Sequence, residues 1–158
     1  MASLDLQAFS DESPYHRSFG LTIERLDGGV VLRGALGPAF AVDGDGAFAH
    51  GGAVASVLDM ALAFALIAQT DYDWVTVDLR VDYVRPTALG AVMVQAEVLH
   101  GGRNLGRARG ELRDGTGRVC AVAVGSFVPN ANATGAAAPP SAASRHRSRP
   151  RRPSACSP

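Results

Sequence analysis

The chain has 158 residues, is 47% hydrophobic and carries no formal net charge. That length is sufficient for a single domain with a hydrophobic core. The charge is unevenly distributed: the residues before Pro129 hold all 15 acidic side chains but only ten of the 15 basic ones, a net charge of −5. An acidic domain repels phosphate backbones, so we do not expect nucleic acid as a partner.

The end of the chain differs in composition from the rest. Residues 129–158 are rich in Ala, Pro, Ser and Arg and lack apolar periodicity, which predicts a disordered tail after one domain at residues 1–128. The two cysteines, Cys120 and Cys156, form neither a disulfide framework nor a metal-binding pair, and no signal-peptide pattern opens the chain. We therefore expect a cytoplasmic protein without a metal.

The first predicted elements are a short helical turn over residues 14–19 and a hairpin of two strands. The strands occupy residues 21–26 and 30–36. The turn between them, Asp27-Gly28-Gly29, is typical of a hairpin.

Residues 51–68 predict a long helix that is apolar on every side. Only Ser56 and Asp59 are polar in this stretch. Its length approaches that of a membrane span. The central Asp59, the small residues at its start and the lack of flanking basic or aromatic anchors instead favour a helix buried in a soluble core. We therefore expect no membrane partner.

Four strands are predicted after the helix, at residues 74–85, 92–99, 105–113 and 118–128. Strict alternation in the first of them predicts an apolar face opposite a polar one. The apolar face carries Val75, Val77, Leu79, Val81 and Tyr83, and the polar face carries Thr76, Asp78, Arg80 and Asp82. In the third strand, the small residues Gly106, Ala108 and Gly110 share a face, which lets a helix approach closely.

The order of two strands, one helix and four strands indicates the fold class. It predicts an α+β domain in which an antiparallel six-stranded sheet wraps around one long central helix. An isolated curved sheet leaves an edge strand unpaired, so we also expect a second copy of the chain to pair with it.

The single charge of the helix, Asp59, marks a candidate site. An ionised carboxylate in an apolar interior costs several kcal/mol unless it is paired, hydrogen-bonded or open to a site. Gly52, Ser56, Asp59 and Ala63 share one side of the helix, so small side chains leave space beside the carboxylate. Gly51 and Gly52 leave backbone N–H groups uncovered, and such donors stabilise a developing oxyanion. The carboxylate can act as a general base or a nucleophile.

Four segments together resemble the hotdog-fold acyl-CoA thioesterases of the PaaI type. They are His50-Gly51-Gly52, Leu58-Asp59-Met60-Ala61, Val75-Thr76-Val77-Asp78-Leu79 and Tyr83-Val84-Arg85-Pro86, and the resemblance extends over residues 15–128. It implies a hotdog fold and hydrolysis of an acyl-CoA thioester to a free acid and CoA, without a cofactor. It also implies a site between two subunits of a homodimer or of a dimer of dimers.

The resemblance implies roles for individual residues. Asp59 matches the catalytic acid, and Gly52 or its neighbour Gly51 matches the backbone donor to the thioester carbonyl. His50 matches the residue that shapes the helix entrance. Thr76 matches a hydroxyl that helps to hold the attacking water.

Substrate binding is predicted for Gly51, Ser56, Arg85 and Arg103. The two arginines are candidates because guanidinium groups are natural partners of the phosphate oxygens of CoA. The sequence departs from the family at Gly44, where relatives often have an Asn six residues before the His. This departure keeps two other functions open, an acyl-CoA-binding protein without turnover and a hotdog hydratase or dehydratase.

Overall fold

The structure is a computed structural model that describes residues 3–130. Its helices are α1 (Leu6–Asp11), α2 (Pro14–Phe19) and α3 (Gly51–Thr70). Its strands are β1 (Thr22–Leu26), β2 (Gly29–Leu36), β3 (Trp74–Tyr83), β4 (Gly90–Gly101), β5 (Gly106–Asp114) and β6 (Val119–Pro129). The predicted tail at 129–158 lies outside the described residues, apart from Pro129, which ends β6, and Asn130.

All six strands form one antiparallel sheet in the order β1-β2-β4-β5-β6-β3. The six strands and the single long helix predicted from the sequence are confirmed. The two edges of the sheet are β1, which has 5 residues, and β3, which has 10. The longer edge strand follows α3 directly in the chain.

Helix α3 packs against the inner face of this sheet, with 11 of its side chains buried. The small face predicted for β5 admits the helix. A Cβ at Gly106 would lie 2.8 Å from a Leu66 methyl group, and a Cβ at Gly110 would lie 2.9 Å from a Leu62 methyl group. The helix is long and apolar enough to cross a membrane, with a mean hydropathy of 1.9, but 61% of that stretch is buried inside the protein. This burial favours the predicted core helix.

The prediction of which side chains lie on each face of β3 is wrong for the first half of the strand, because the strand contains a β-bulge. Thr76 pairs with Phe127 and Asp78 with Ser126, so Val77 has no partner on β6. The extra residue shifts the alternation by one position. Val75 and Val77 are therefore 46% and 61% exposed, whereas Thr76 shares the inner face with the buried Phe127.

The N-terminal segment forms two short helices beside α3. The predicted turn at 14–19 is confirmed as α2, whose first turn is capped by the Ser13 side chain and which ends at Gly20 with a φ of +58°. The sequence analysis did not predict α1. The Asp5 side chain caps α1, and Phe9 packs edge-on against Phe64 of α3, with 6.3 Å between ring centroids.

Candidate active site

The start of α3 is capped by a histidine side chain. His50 is the N-cap residue, and its Nδ1 atom accepts a hydrogen bond of 2.9 Å from the Gly52 N–H. The His50 carbonyl accepts from the N–H groups of Ala53 and Val54. Among residues 3–130, no acceptor binds the Gly51 N–H. Of the two predicted oxyanion donors, Gly52 is therefore engaged with the imidazole and Gly51 is not.

Two tyrosines that the sequence analysis did not select lie beside this helix start. The Tyr83 hydroxyl donates to the Gly51 carbonyl at 2.8 Å, and the Tyr15 hydroxyl lies 2.7 Å from Ser56 Oγ. Ser56 Oγ also donates to the Gly52 carbonyl at 2.8 Å. This backbone bond is typical of a helical serine.

The open side of α3 carries the stripe of small residues predicted from the sequence. Gly52 is exposed, and Ser56, Asp59 and Ala63 are partly buried, while most of the neighbouring side chains of the helix are buried. The stripe is the part of α3 that the sheet does not cover. A ligand can therefore approach Asp59 from this side.

Asp59 has one direct hydrogen-bond partner among the described residues, the hydroxyl of Thr76. Thr76 Oγ1 donates to Asp59 Oδ1 at 2.9 Å. This contact depends on the bulge at Val77, which turns Thr76 to the inner face. Burial raises the pKa of Asp59, and the Thr76 hydrogen bond and the charge of His16 oppose this rise. A carboxylate with a raised pKa is well suited to accept a proton from water.

The two predicted phosphate-binding arginines lie near opposite ends of α3. Arg85 follows Tyr83, which contacts the first turn of the helix, and Arg85 donates to the Val119 carbonyl at 2.7 Å. Arg103 lies in the turn between β4 and β5, two residues after Gly101. An added Cβ at Gly101 would lie 3.0 Å from the Gln69 side chain, near the end of α3. The structure does not bring the two arginines together.

A separate depression of about 770 Å³ lies on the outer face of the sheet. Both acidic and basic side chains line it. Several of them form ion pairs with each other, as Arg80 does with Asp82 and Arg109 with Glu97. No residue of α3 lines it. The depression is therefore distinct from the Asp59 site. Within the described part of the chain, no group of three or more His, Cys, Asp or Glu residues is arranged to hold a metal ion.

A six-stranded antiparallel sheet around one long central helix is the architecture of the hotdog fold. The profile of the thioesterase superfamily matches residues 46–121, from the segment before α3 to the first half of β6. The chain belongs to the thioesterase superfamily.

Solved structures share this fold over most of their length. A conserved protein from Pseudomonas aeruginosa is 30% identical, with a TM-score of 0.67, and the match covers 75% of this chain and 94% of that one. A thioesterase family protein from Silicibacter pomeroyi is 25% identical, with a TM-score of 0.70 and coverage of 78% and 94%. The PaaI protein of the E. coli phenylacetic acid degradation operon is 23% identical, with a TM-score of 0.70 and coverage of 78% and 89%. No curated protein sequence matches the chain.

Proposed function

We propose that this protein hydrolyses an acyl-CoA thioester to a free acid and CoA. The observation that carries the proposal is the pair formed by Asp59 and Thr76 on the open side of α3. Asp59 acts as the general base or as the nucleophile. The backbone N–H groups at the start of α3 polarise the thioester carbonyl.

In the general-base form of this reaction, Asp59 takes a proton from the attacking water. The water oxygen then bonds to the carbonyl carbon, and the bond from that carbon to sulfur breaks to release the CoA thiolate. Thr76 uses its hydroxyl proton to bind Asp59 Oδ1, so its oxygen lone pairs can accept a hydrogen bond from the same water. Thr76 thereby holds the water beside the base.

The Gly51 and Gly52 N–H groups are the proposed donors to the carbonyl oxygen. The Gly52 N–H becomes available when the His50 ring turns away from it, because Nδ1 accepts its hydrogen bond in the structure. The Gly51 N–H needs no such movement. The positive end of the α3 dipole adds to the effect of both donors.

We further propose that each site uses residues from two subunits. Gly52 and Asp59 are seven residues apart on the same helix, a rise of about 10 Å. A single thioester carbonyl is too small to bridge that separation comfortably. In a dimer, Asp59 of one subunit would instead face the Gly52 N–H of its partner.

The edge strand β3 is the surface proposed for this dimer, which would join the two sheets edge to edge. It exposes Val75, Val77 and Tyr83, and unpaired edge strands are pairing surfaces. The other edge, β1, is shorter and carries a Glu24–Arg33 ion pair beside it. Pairing of two dimers into a tetramer is compatible with the same arrangement.

The CoA phosphates are proposed to bind arginine side chains at the surface, with Arg85 and Arg103 as candidates. Arg85 lies on the side of the helix start, where the carbonyl would bind. Its guanidinium retains unused donors after binding the Val119 carbonyl. Arg103 is exposed in its turn, and its position near the other end of α3 makes it a candidate only for a CoA bound across that end.

The test is release of free thiol from a panel of aryl and straight-chain acyl-CoAs by the wild-type chain and Asp59→Asn. We expect the wild-type chain to release thiol and Asp59→Asn to lose this turnover. Thermal stabilisation by an acyl-CoA without thiol release would indicate a binding protein instead. Consumption of an enoyl thioester without thiol release would indicate a hydratase.

A second variant tests the departure at Gly44. An added Cβ there meets no atom within 4 Å, so Gly44→Asn should fold like the wild-type chain. If the missing amide limits turnover, Gly44→Asn should raise kcat. An unchanged kcat would mean that the site does not need an amide at this position.

A further inference from the structure

Tyr83 binds the first peptide unit of α3, and the reaction described above gives it no role. It is the last residue of β3, and its hydroxyl donates to the Gly51 carbonyl at 2.8 Å. Its ring lies against the same residue, since a Cβ at Gly51 would lie 3.5 Å from two of the ring carbons. Both the hydroxyl and the ring of Tyr83 therefore join the end of β3 to the start of α3.

The hydrogen bond to the Gly51 carbonyl also acts on the Gly52 N–H, because the two groups belong to one planar peptide unit. A donor that holds the carbonyl oxygen fixes the direction in which the N–H on the opposite side of the unit points. The same bond polarises the amide and makes its N–H a stronger donor. The Gly52 N–H is one of the two proposed donors to the thioester carbonyl, so Tyr83 acts on a reacting group that it does not touch.

The sequence makes this peptide unit the most easily rotated one in α3. The bonds on its two sides belong to Gly51 and Gly52, the only glycines of the helix, and glycine restricts backbone rotation least. A larger residue does not fit at Gly52, where a Cβ would lie 3.0 Å from Nδ1 of His50. The orientation of this peptide unit therefore depends on hydrogen bonds from outside the helix.

Two side chains of residues 3–130 hydrogen-bond to this peptide unit. His50 Nδ1 accepts from the Gly52 N–H, and that bond must open before the N–H can bind a substrate. The bond from Tyr83 to the Gly51 carbonyl is then the one that remains. Resting on the function proposed above, we propose that Tyr83 is a positioning residue of this site. Its hydroxyl fixes the peptide unit while the Gly52 N–H binds the thioester carbonyl.

Tyr15 provides a matched control on the next peptide unit of α3. Its hydroxyl lies 2.7 Å from Ser56 Oγ, and it is the donor there because Ser56 uses its own proton on the Gly52 carbonyl. That carbonyl shares its peptide unit with the Ala53 N–H, which already donates to a backbone carbonyl. Tyr15 and Tyr83 are similarly exposed, at 57% and 54%, but only Tyr83 binds the unit that carries a proposed oxyanion donor.

The effect on catalysis is measured with Tyr83→Phe and Tyr15→Phe, each of which removes one hydroxyl and keeps the ring. The substrate is the acyl-CoA that the wild-type chain hydrolyses fastest. In Tyr83→Phe, kcat should fall about five- to tenfold while KM stays within about twofold, because the donor matters most when the carbonyl oxygen becomes negative. In Tyr15→Phe, both constants should stay within about twofold of the wild-type values.

A merely structural role of Tyr83 would give a different result. Both variants should keep the melting temperature and the size-exclusion elution volume of the wild-type chain. Equal losses of kcat in the two variants would overturn the proposal. A loss in Tyr83→Phe that only follows a loss of folded protein would also overturn it.

The action of Tyr83 on the peptide unit can be measured without any substrate. The amide nitrogen resonance of Gly52 is followed by NMR in the full wild-type chain and in both variants. Loss of the hydrogen bond at the Gly51 carbonyl reduces the polarisation of the amide, so the Gly52 resonance should move upfield in Tyr83→Phe. It should keep its wild-type position in Tyr15→Phe. A Gly52 resonance that does not move in Tyr83→Phe would contradict the inference.

The two measurements separate this inference from the proposed function. If the wild-type chain releases no thiol from any acyl-CoA, the proposed function fails, and the NMR comparison alone decides whether Tyr83 holds the peptide unit. If thiol is released but Tyr83→Phe has the kcat of the wild-type chain, the function stands and the role of Tyr83 is wrong.

Discussion

Two carboxylates in this domain, Asp59 in the middle of α3 and Asp114 at the end of β5, show opposite electrostatic behaviour. The Asp114 side chain is only 3% exposed, yet its pKa is held well below the usual range, mainly by the hydrogen bond from the Thr116 hydroxyl. Asp59 is less deeply buried, and burial raises its pKa. The depth of burial therefore does not determine the direction of the pKa shift.

The number of donors explains the difference. Asp114 accepts hydrogen bonds from the Thr116 N–H and hydroxyl, at 2.9 and 2.6 Å, and from the Arg118 backbone and guanidinium. Asp59 accepts one direct hydrogen bond, from Thr76. A fully hydrogen-bonded carboxylate stabilises a turn, whereas a carboxylate with unused acceptor capacity is available for chemistry.

The largest expected effect comes from Asp59→Asn. Turnover of acyl-CoA should fall about a thousandfold, because Asn cannot accept the proton from water. The melting temperature should stay unchanged or rise, since the variant no longer buries a charge. Kinetic assays and thermal unfolding at pH 7 measure both. Asp27→Asn, at an exposed hairpin position, is the control, and a strongly destabilised Asp59→Asn would contradict the functional assignment.

Asp114→Asn should have the reverse pattern. The amide cannot replace the carboxylate as acceptor for Thr116 and Arg118 together, so the melting temperature at pH 7 should fall clearly. The kcat of the remaining folded protein should equal that of the wild-type chain, because the β5–β6 turn is not part of the proposed site. Loss of activity beyond the loss of folded protein would show that the two regions are not independent.

A smaller difference is expected between two threonine variants. Thr76→Val removes the one direct hydrogen bond to Asp59 and should lower kcat about tenfold, with little effect on stability. Thr116→Val removes a hydrogen bond to Asp114 and should lower stability without affecting kcat. The comparison fails if both variants lose activity to the same extent.

The smallest effects are those of pH on stability, and they have opposite signs. The lowered pKa of Asp114 contributes stability that is present above the unfolded-state value, about 3.9, and is lost as the pH falls below it. The raised pKa of Asp59 means that its ionised form destabilises the fold at neutral pH, and this penalty disappears as Asp59 becomes protonated at acidic pH. Thermal unfolding from pH 3 to pH 8 should therefore show a deficit of Asp114→Asn that is full at neutral pH and becomes smaller as the pH falls below about 4. Any excess stability of Asp59→Asn should likewise vanish near pH 3.

Much of the fold could be predicted because its signals are local. The two-residue alternation of the strands, the hairpin turns and the long apolar run of the helix lie in contiguous sequence, and all six strands and α3 were found from them. The small face of β5 likewise predicted the close approach of α3, since an added Cβ at Gly106 or Gly110 would overlap leucine side chains of the helix.

The site was predictable only in part. Asp59 is conspicuous because it is the single charge in an apolar helix. His50 and Thr76 came from the family resemblance. Tyr15 and Tyr83 were not selected as site residues, because their contacts with α3 join residues that are distant in sequence.

The sequence by itself determined which segments become strands and helices, and which of them carries the carboxylate. Only the tertiary structure decided what surrounds that carboxylate. The strict alternation of β3 gave no sign of the bulge at Val77, which arises in the pairing with β6 and turns Thr76 toward Asp59. The contact of the Tyr83 hydroxyl with the Gly51 carbonyl depends in the same way on how the end of β3 packs against the start of α3. Both are long-range contacts, and local periodicity carries no information about which distant residues will meet.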